Sequence, residues 1–167
     1  MKNSVVRGLF CLALIFSVCL LNACSRHNRG AEDILYEICA SLSLPAGQTY
    51  LAHTEEGGEH YLSSDTAQSL YGAESVENTF PLIEDYAIYI SSFAEPCEIA
   101  VFSCYSRSDT DTVSAMCLAR ADEIAVLLKG SEGEYPSAEI TTYKKYIVML
   151  LCEDTDRALE TAREALK

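Results

Sequence analysis

The chain has 167 residues, of which 49% are hydrophobic and 22% charged, and its 12 Lys and Arg stand against 25 Asp and Glu for a formal net charge of −13. That balance excludes a nucleic-acid binder, which needs clustered Lys and Arg to neutralise a phosphate backbone, and it repels anionic headgroups. The length suits one domain with a substantial core.

Lys2 and Arg7 precede an almost wholly apolar run over 9–21, and Asn22-Ala23 ends it on a small residue. This is the layout of a secretory signal peptide over 1–23. The apolar run is too short for the ~20 residues that cross a bilayer as a helix. A simple cleavage site would want a small side chain at position 21, where the chain has Leu21. Leu21-Asn22-Ala23-Cys24 instead resembles the lipobox of bacterial lipoproteins. The resemblance implies a diacylglyceryl group on the Cys24 thiol, removal of the leader before it, and a membrane partner reached through that lipid. Two acyl chains anchor stably, at ~0.8 kcal/mol per buried methylene, where one binds only marginally. The expected organisation is a signal peptide over 1–23, a lipidated tether over 24–30 and a single domain over 31–167, held on the extracytoplasmic face of the cell membrane. Loss of residues 1–23 removes Lys2 and Arg7, so ten basic residues would face 25 acidic ones at a formal charge of −15.

Within the domain, Ile34, Leu35, Ile38, Cys39 and Leu42 fall at helical spacing behind Glu32 and Asp33, whose charges suit a helix N-terminus. Pro45-Ala46-Gly47 stops that helix. Short strands over 49–52 and 60–62, joined by Glu55-Glu56-Gly57-Gly58, read as a small hairpin. A short helix capped by Ser64 or Asp65 follows, with Ala67, Leu70 and Tyr71 apolar and Gly72 at its end. Two strands over 85–92 and 97–106 are rich in β-branched and aromatic residues. A helix over 109–129 then carries Val113, Met116, Cys117, Arg120, Ile124 and Leu127 on one stripe. After the polar link 130–136, strands over 138–142 and 146–152 form a hairpin about Tyr143-Lys144-Lys145. The second of them has no polar alternation and predicts a central strand covered on part of both faces. A last helix begins at Glu153-Asp154-Thr155 and buries Ala158, Leu159, Ala162 and Leu166. Strand-strand-helix thus occurs twice. The fold class is α+β: a two-layer sandwich with an antiparallel four-stranded sheet and helices on one face, preceded by the N-terminal helix and the small hairpin.

The segment ISSFAEPCEIAVFSC over 90–104, the helix bearing Arg120, Tyr135-Pro136 and the apolar strand after Lys145 together resemble a family of small Gram-positive bacterial lipoproteins catalogued as a domain of unknown function. The resemblance covers about 64–150 and the leader, and rests on Glu98-Ile99-Ala100-Val101-Phe102. It implies a fold rather than a chemistry, because that family has no established activity. Its members often carry a lysine a few residues beyond the Ala-Val pair, where this chain has Cys104 and Tyr105.

Of the eight cysteines, Cys11 and Cys19 lie in the leader and Cys24 in the lipobox, leaving Cys39, Cys97, Cys104, Cys117 and Cys152. An odd number cannot all pair, and each sits in an apolar pattern as a small hydrophobe. Buried thiols are the first expectation and a single disulfide the second. Cys97 and Cys104, seven apart on one strand, face opposite sides and cannot bond to each other. No C-x-x-C or paired Cys/His spacing suggests a metal.

Two charges stand in apolar surroundings, Glu98 in a strand and Arg120 in the following helix. They are either a structural ion pair or a polar site where the guanidinium holds a ligand carboxylate. His53 and His60, with Glu55, Glu56 and Glu59, are the alternative: a small envelope hydrolase or metal-dependent enzyme built on that region. His27 belongs to the tether. There is no G-x-S-x-G elbow and no phosphate-binding glycine loop, so neither a catalytic residue nor a cofactor is expected. The ten tyrosines read mainly as half-buried packing residues with the hydroxyl at the surface. The function expected is that of a membrane-anchored, non-enzymatic binding module for an unknown protein or small-molecule partner.

Overall fold

A computed structural model describes residues 29–92, 94–129 and 137–167. The leader, the Cys24 lipobox, His27 and Tyr135-Pro136 lie outside the described residues.

Helix α1, Ala31–Ala40, starts after Gly30, which has no side chain to cap it. Asp85, more than fifty residues on, supplies the missing acceptor: its Oδ2 takes the Ala31 N–H at 2.7 Å. A carboxylate there meets both an orphan donor and the positive end of the helix dipole. Ile34, Leu35 and Ile38 are buried completely, each stabilising the fold by about 1.5–3 kcal/mol.

Strand β1, Gly47–Leu51, pairs antiparallel with β2, Ile83–Ser91, in a register running from Gly47 opposite Ser91 to Leu51 opposite Ala87. The expected small hairpin is therefore corrected. Its first half joins the main sheet as a fifth strand, because the outer edge of β2 offers a full row of unpaired backbone groups that two or three residues at 60–62 cannot match. The returning loop still touches β1, with the Leu51 N–H donated to the His60 carbonyl at 3.0 Å. Gly47 is required where it stands: a Cβ there would lie 2.5 Å from the Ile90 carbonyl and 2.6 Å from the Tyr89 ring.

Helix α2, Ser64–Tyr71, is capped by Ser63, whose hydroxyl accepts the Thr66 N–H. Gly72 ends it with φ 80, a conformation that favours glycine. A further short helix, α3, Ala73–Asn78, was not signalled by any apolar period. Strand β3, Glu98–Cys104, pairs antiparallel with β2, and a 3-10 turn at Arg107–Asp109 leads into α4, Thr110–Leu128. Strands β4, Glu139–Tyr143, and β5, Tyr146–Leu151, form the expected hairpin, and α5, Thr155–Ala165, closes the domain behind an Asp154 cap. The sheet order is β1-β2-β3-β5-β4, antiparallel throughout.

The class is α+β, as the sequence predicts, but two details are corrected. The sheet has five strands, not four, and helices cover both faces, giving three layers. Every residue of β3 and β5 is buried, and a strand apolar on both sides must be covered on both sides. Tyr89, Ile99, Val101, Val148 and Leu150 pack under α1 and α5. Ile88, Ala100, Phe102, Ile147 and Met149 pack under α2 and α4. The two strand-strand-helix units thus place their helices on opposite faces.

Candidate functional site

Glu98 opens β3 on the α4 side of the sheet, and Arg120 lies in the buried stripe of α4. The structure brings them together. Arg120 Nη2 donates to Glu98 Oε2 at 2.9 Å and Nε to the same oxygen at 3.1 Å. Nη1 reaches Glu123 at 3.2 Å, and the Tyr71 hydroxyl donates to Glu98 Oε1 at 3.4 Å. Both side chains are almost wholly buried, at 6% and 3% exposure. Burial pushes the Glu98 carboxyl above its ordinary value, and the Arg120 guanidinium pulls against it without prevailing. Burial also lifts the Tyr71 hydroxyl, reinforced by the Glu98 charge. All three guanidinium nitrogens of Arg120 bond carboxylates of the chain itself. These bonds form a buried ion pair that ties α4 and α2 to β3.

The two histidines have separate partners. His60 Nδ1 bonds the Thr49 carbonyl at 3.0 Å, which fastens the loop to β1. His53 Nε2 lies 3.6 Å from Asp85 Oδ1 with its side chain 79% exposed. Among the described residues no group of three or more His, Cys, Asp or Glu is placed to hold a metal ion.

A concave feature lies at the end of the sheet away from His53 and Asp85, on the face opposite the Glu98–Arg120 pair. A cleft of about 930 Å³ opens between three segments far apart in sequence. Leu42, Leu44 and Pro45, just beyond α1, form one wall; Glu95, Pro96 and Cys97, between β2 and β3, form another; Cys152, Glu153, Asp154 and Arg157, between β5 and α5, form the third. Its volume is within the range of small-molecule sites. The floor is apolar, since Cys97 and Cys152 are 5% and 2% exposed and Leu42 and Leu44 pack on the same core. Glu95, Glu153, Asp154 and Arg157 are exposed at its rim. Nothing in the sequence marks a site here, because none of the three segments carries a local motif. Pro45 and Pro96 were legible only as breaks.

This cleft and the start of the domain are at opposite ends. The Arg29 carbonyl accepts a 2.8 Å bond from the Tyr146 hydroxyl at the beginning of β5, and Ala31 is held by Asp85 near the beginning of β2. The cleft lies past the end of β5, before the start of β3 and past the end of α1. Ten residues of helix, about 15 Å, separate the two ends.

No family model matches the chain, and neither a curated protein nor a solved structure matches it. Among the described residues no helix is long and apolar enough to cross a membrane.

Proposed function

We propose that the chain is an extracytoplasmic lipoprotein, anchored through lipid on Cys24, whose domain is a non-enzymatic module that binds a ligand in the cleft distal to the anchor. The cleft carries this reading. It has a small-molecule volume and an apolar floor, and three carboxylates stand at its rim against the single guanidinium of Arg157. That chemistry suits a small molecule or short peptide with an apolar body and a basic group. The placement supports the same reading: Arg29, only a few residues after Cys24, begins the described domain at the end opposite the cleft, so the cleft faces away from the bilayer. Kinship with the small Gram-positive lipoproteins belongs to this proposal, and the strand and helix that carry it, β3 and α4, lie side by side in the core.

Two measurements test it. Intact mass of the membrane fraction from cells expressing the full chain is expected to show a lipid-sized increment that vanishes in Cys24→Ala; an unmodified wild-type chain would remove the anchor. Titration of the 15N-labelled domain with short basic, apolar peptides is expected to shift the amides of Leu44, Cys97, Glu153 and Arg157, and Glu153→Lys to weaken the response at least several-fold. Shifts gathered around His53 and His60 instead would transfer the site to the rival region.

A further inference from the structure

Three of the five domain cysteines meet beneath the cleft. Cys97, Cys152 and Cys39 pack in or against one core cluster under α1 and α5, whereas Cys104 and Cys117 belong to the cluster on the other face. Strand register sorts the three further. Glu98 stands opposite Leu151 in the antiparallel β3–β5 pair, so one residue outward Cys97 stands opposite Cys152. Both side chains emerge on the same face, as opposite residues of an antiparallel pair must.

The hydrogen bonds decide which kind of pair this is. The Cys97 N–H is donated to Ser91 Oγ at 2.7 Å and its carbonyl accepts the Ser91 N–H at 2.9 Å. Both backbone groups therefore point to β2, away from β5. From the far end of the strand, the Cys104 N–H donates to the Lys145 carbonyl at 2.9 Å, and alternation from that hydrogen-bonded pair makes Cys97–Cys152 a non-hydrogen-bonded one. Such pairs bring Cα atoms to about 4.5 Å, closer than their neighbours, and this falls within the ~4.4–6.8 Å a disulfide spans.

Both thiols are free in this structure; we infer that on oxidation Cys97 and Cys152 form a cross-strand disulfide that ties β3 to β5 at the floor of the cleft and leaves Cys39 as the reduced thiol beside it. The inference rests on the extracytoplasmic reading, since that compartment supplies the oxidant. The oxidant is an external disulfide, low-molecular-weight or carried by a thiol oxidase. One cysteine thiolate attacks a sulfur of that disulfide and releases one thiol; the second cysteine attacks the mixed disulfide and releases the other. One Sγ–Sγ bond forms, one disulfide bond breaks, and the two cysteine protons leave with the two released thiols. Closure belongs to folding and not to the finished fold. In the folded chain both thiols are buried, and burial pushes Cys97 up to about 12 and also raises Cys152, so little thiolate is present to attack.

The full-length chain, refolded with glutathione disulfide, is alkylated without reduction and digested. The expected product joins the peptides of Cys97 and Cys152, lighter than the two thiol peptides by two hydrogens, with Cys39, Cys104 and Cys117 alkylated. Cys39→Ser is expected to keep the joined peptide and Cys97→Ser to lose it. Alkylation of both Cys97 and Cys152 in the refolded wild type, or a link through Cys39, overturns the pairing. The same digest of the chain from the membrane fraction separates the two readings: a bond in the refolded chain but free thiols in cells sustains the pair and removes the extracytoplasmic location.

Discussion

Glu98 and Arg120 show what a buried charge does in a small core. Desolvating both ions costs several kcal/mol, and the ion pair recovers that only through its geometry. Removing one partner strands the other. Glu98→Ala is therefore expected to destabilise the domain by about 3–5 kcal/mol, whereas the double change Glu98→Leu with Arg120→Met is expected to fall within about 1 kcal/mol of the parent or above it. Urea midpoints of the parent, Glu98→Ala and the doubly changed chain measure this; a near-neutral Glu98→Ala would mean that Arg120 finds water and the pair is not buried. The pair was legible because a charge in an apolar stripe breaks the pattern around it. Tyr71, the third member, was not: its hydroxyl reaches Glu98 from a helix 27 residues away, and nothing in its local sequence separates it from a packing tyrosine.

At the scale of elements, α5 is the piece most constrained by size. Ala158 and Ala162 are fully buried and Ala165 nearly so, so the helix backbone lies close on the sheet and beside α1. A larger side chain has nowhere to go in a close-packed interior. Ala162→Leu is expected to cost about 1–3 kcal/mol, while the same leucine at exposed Glu160 stays within about 0.5 kcal/mol; equal denaturation midpoints would mean that α5 packs loosely. The periodicity that made α5 readable also made α1 and α4 readable, because a stripe of apolar residues reports that a helix has a buried face. It does not report which face of the sheet receives it, and there the two-layer expectation failed. The clue was present in β3 and β5, whose unbroken apolar runs need cover on both sides. Phase drifts as well: Leu127, expected inward, is 53% exposed, and Leu128 is buried in its place, four residues beyond Ile124 and so on the same helical face. β1 was read as a strand, but its partner was not, since pairing with β2 depends on an edge some forty residues ahead.

For the whole molecule, the arrangement of thiols leads to a pH dependence that also reports the disulfide. Burial pushes Cys39 and Cys104 up to about 11 and Cys97 to about 12, from an ordinary value of 9.0, and raises Cys117 and Cys152 in the same direction. Below about pH 9 the thiols are protonated in both the folded and the unfolded chain, and they add no slope. Above it the unfolded chain releases these protons while the folded chain keeps them. The folded state then binds more protons, so stability falls as pH rises through the window from 9 towards 11 and 12. Tyr71, Tyr86, Tyr89 and Tyr146, also raised by burial, add to the same fall at its upper end. A Cys97–Cys152 disulfide removes two titrating protons from both states. The urea midpoint of the fully reduced chain is therefore expected to drop between about pH 8.5 and about pH 10.5, and that of the oxidised chain to drop less over the same interval. Identical slopes would show that the thiols lost on oxidation were not the buried pair, and a flat midpoint in the reduced chain would show that these thiols ionise without unfolding the core around them.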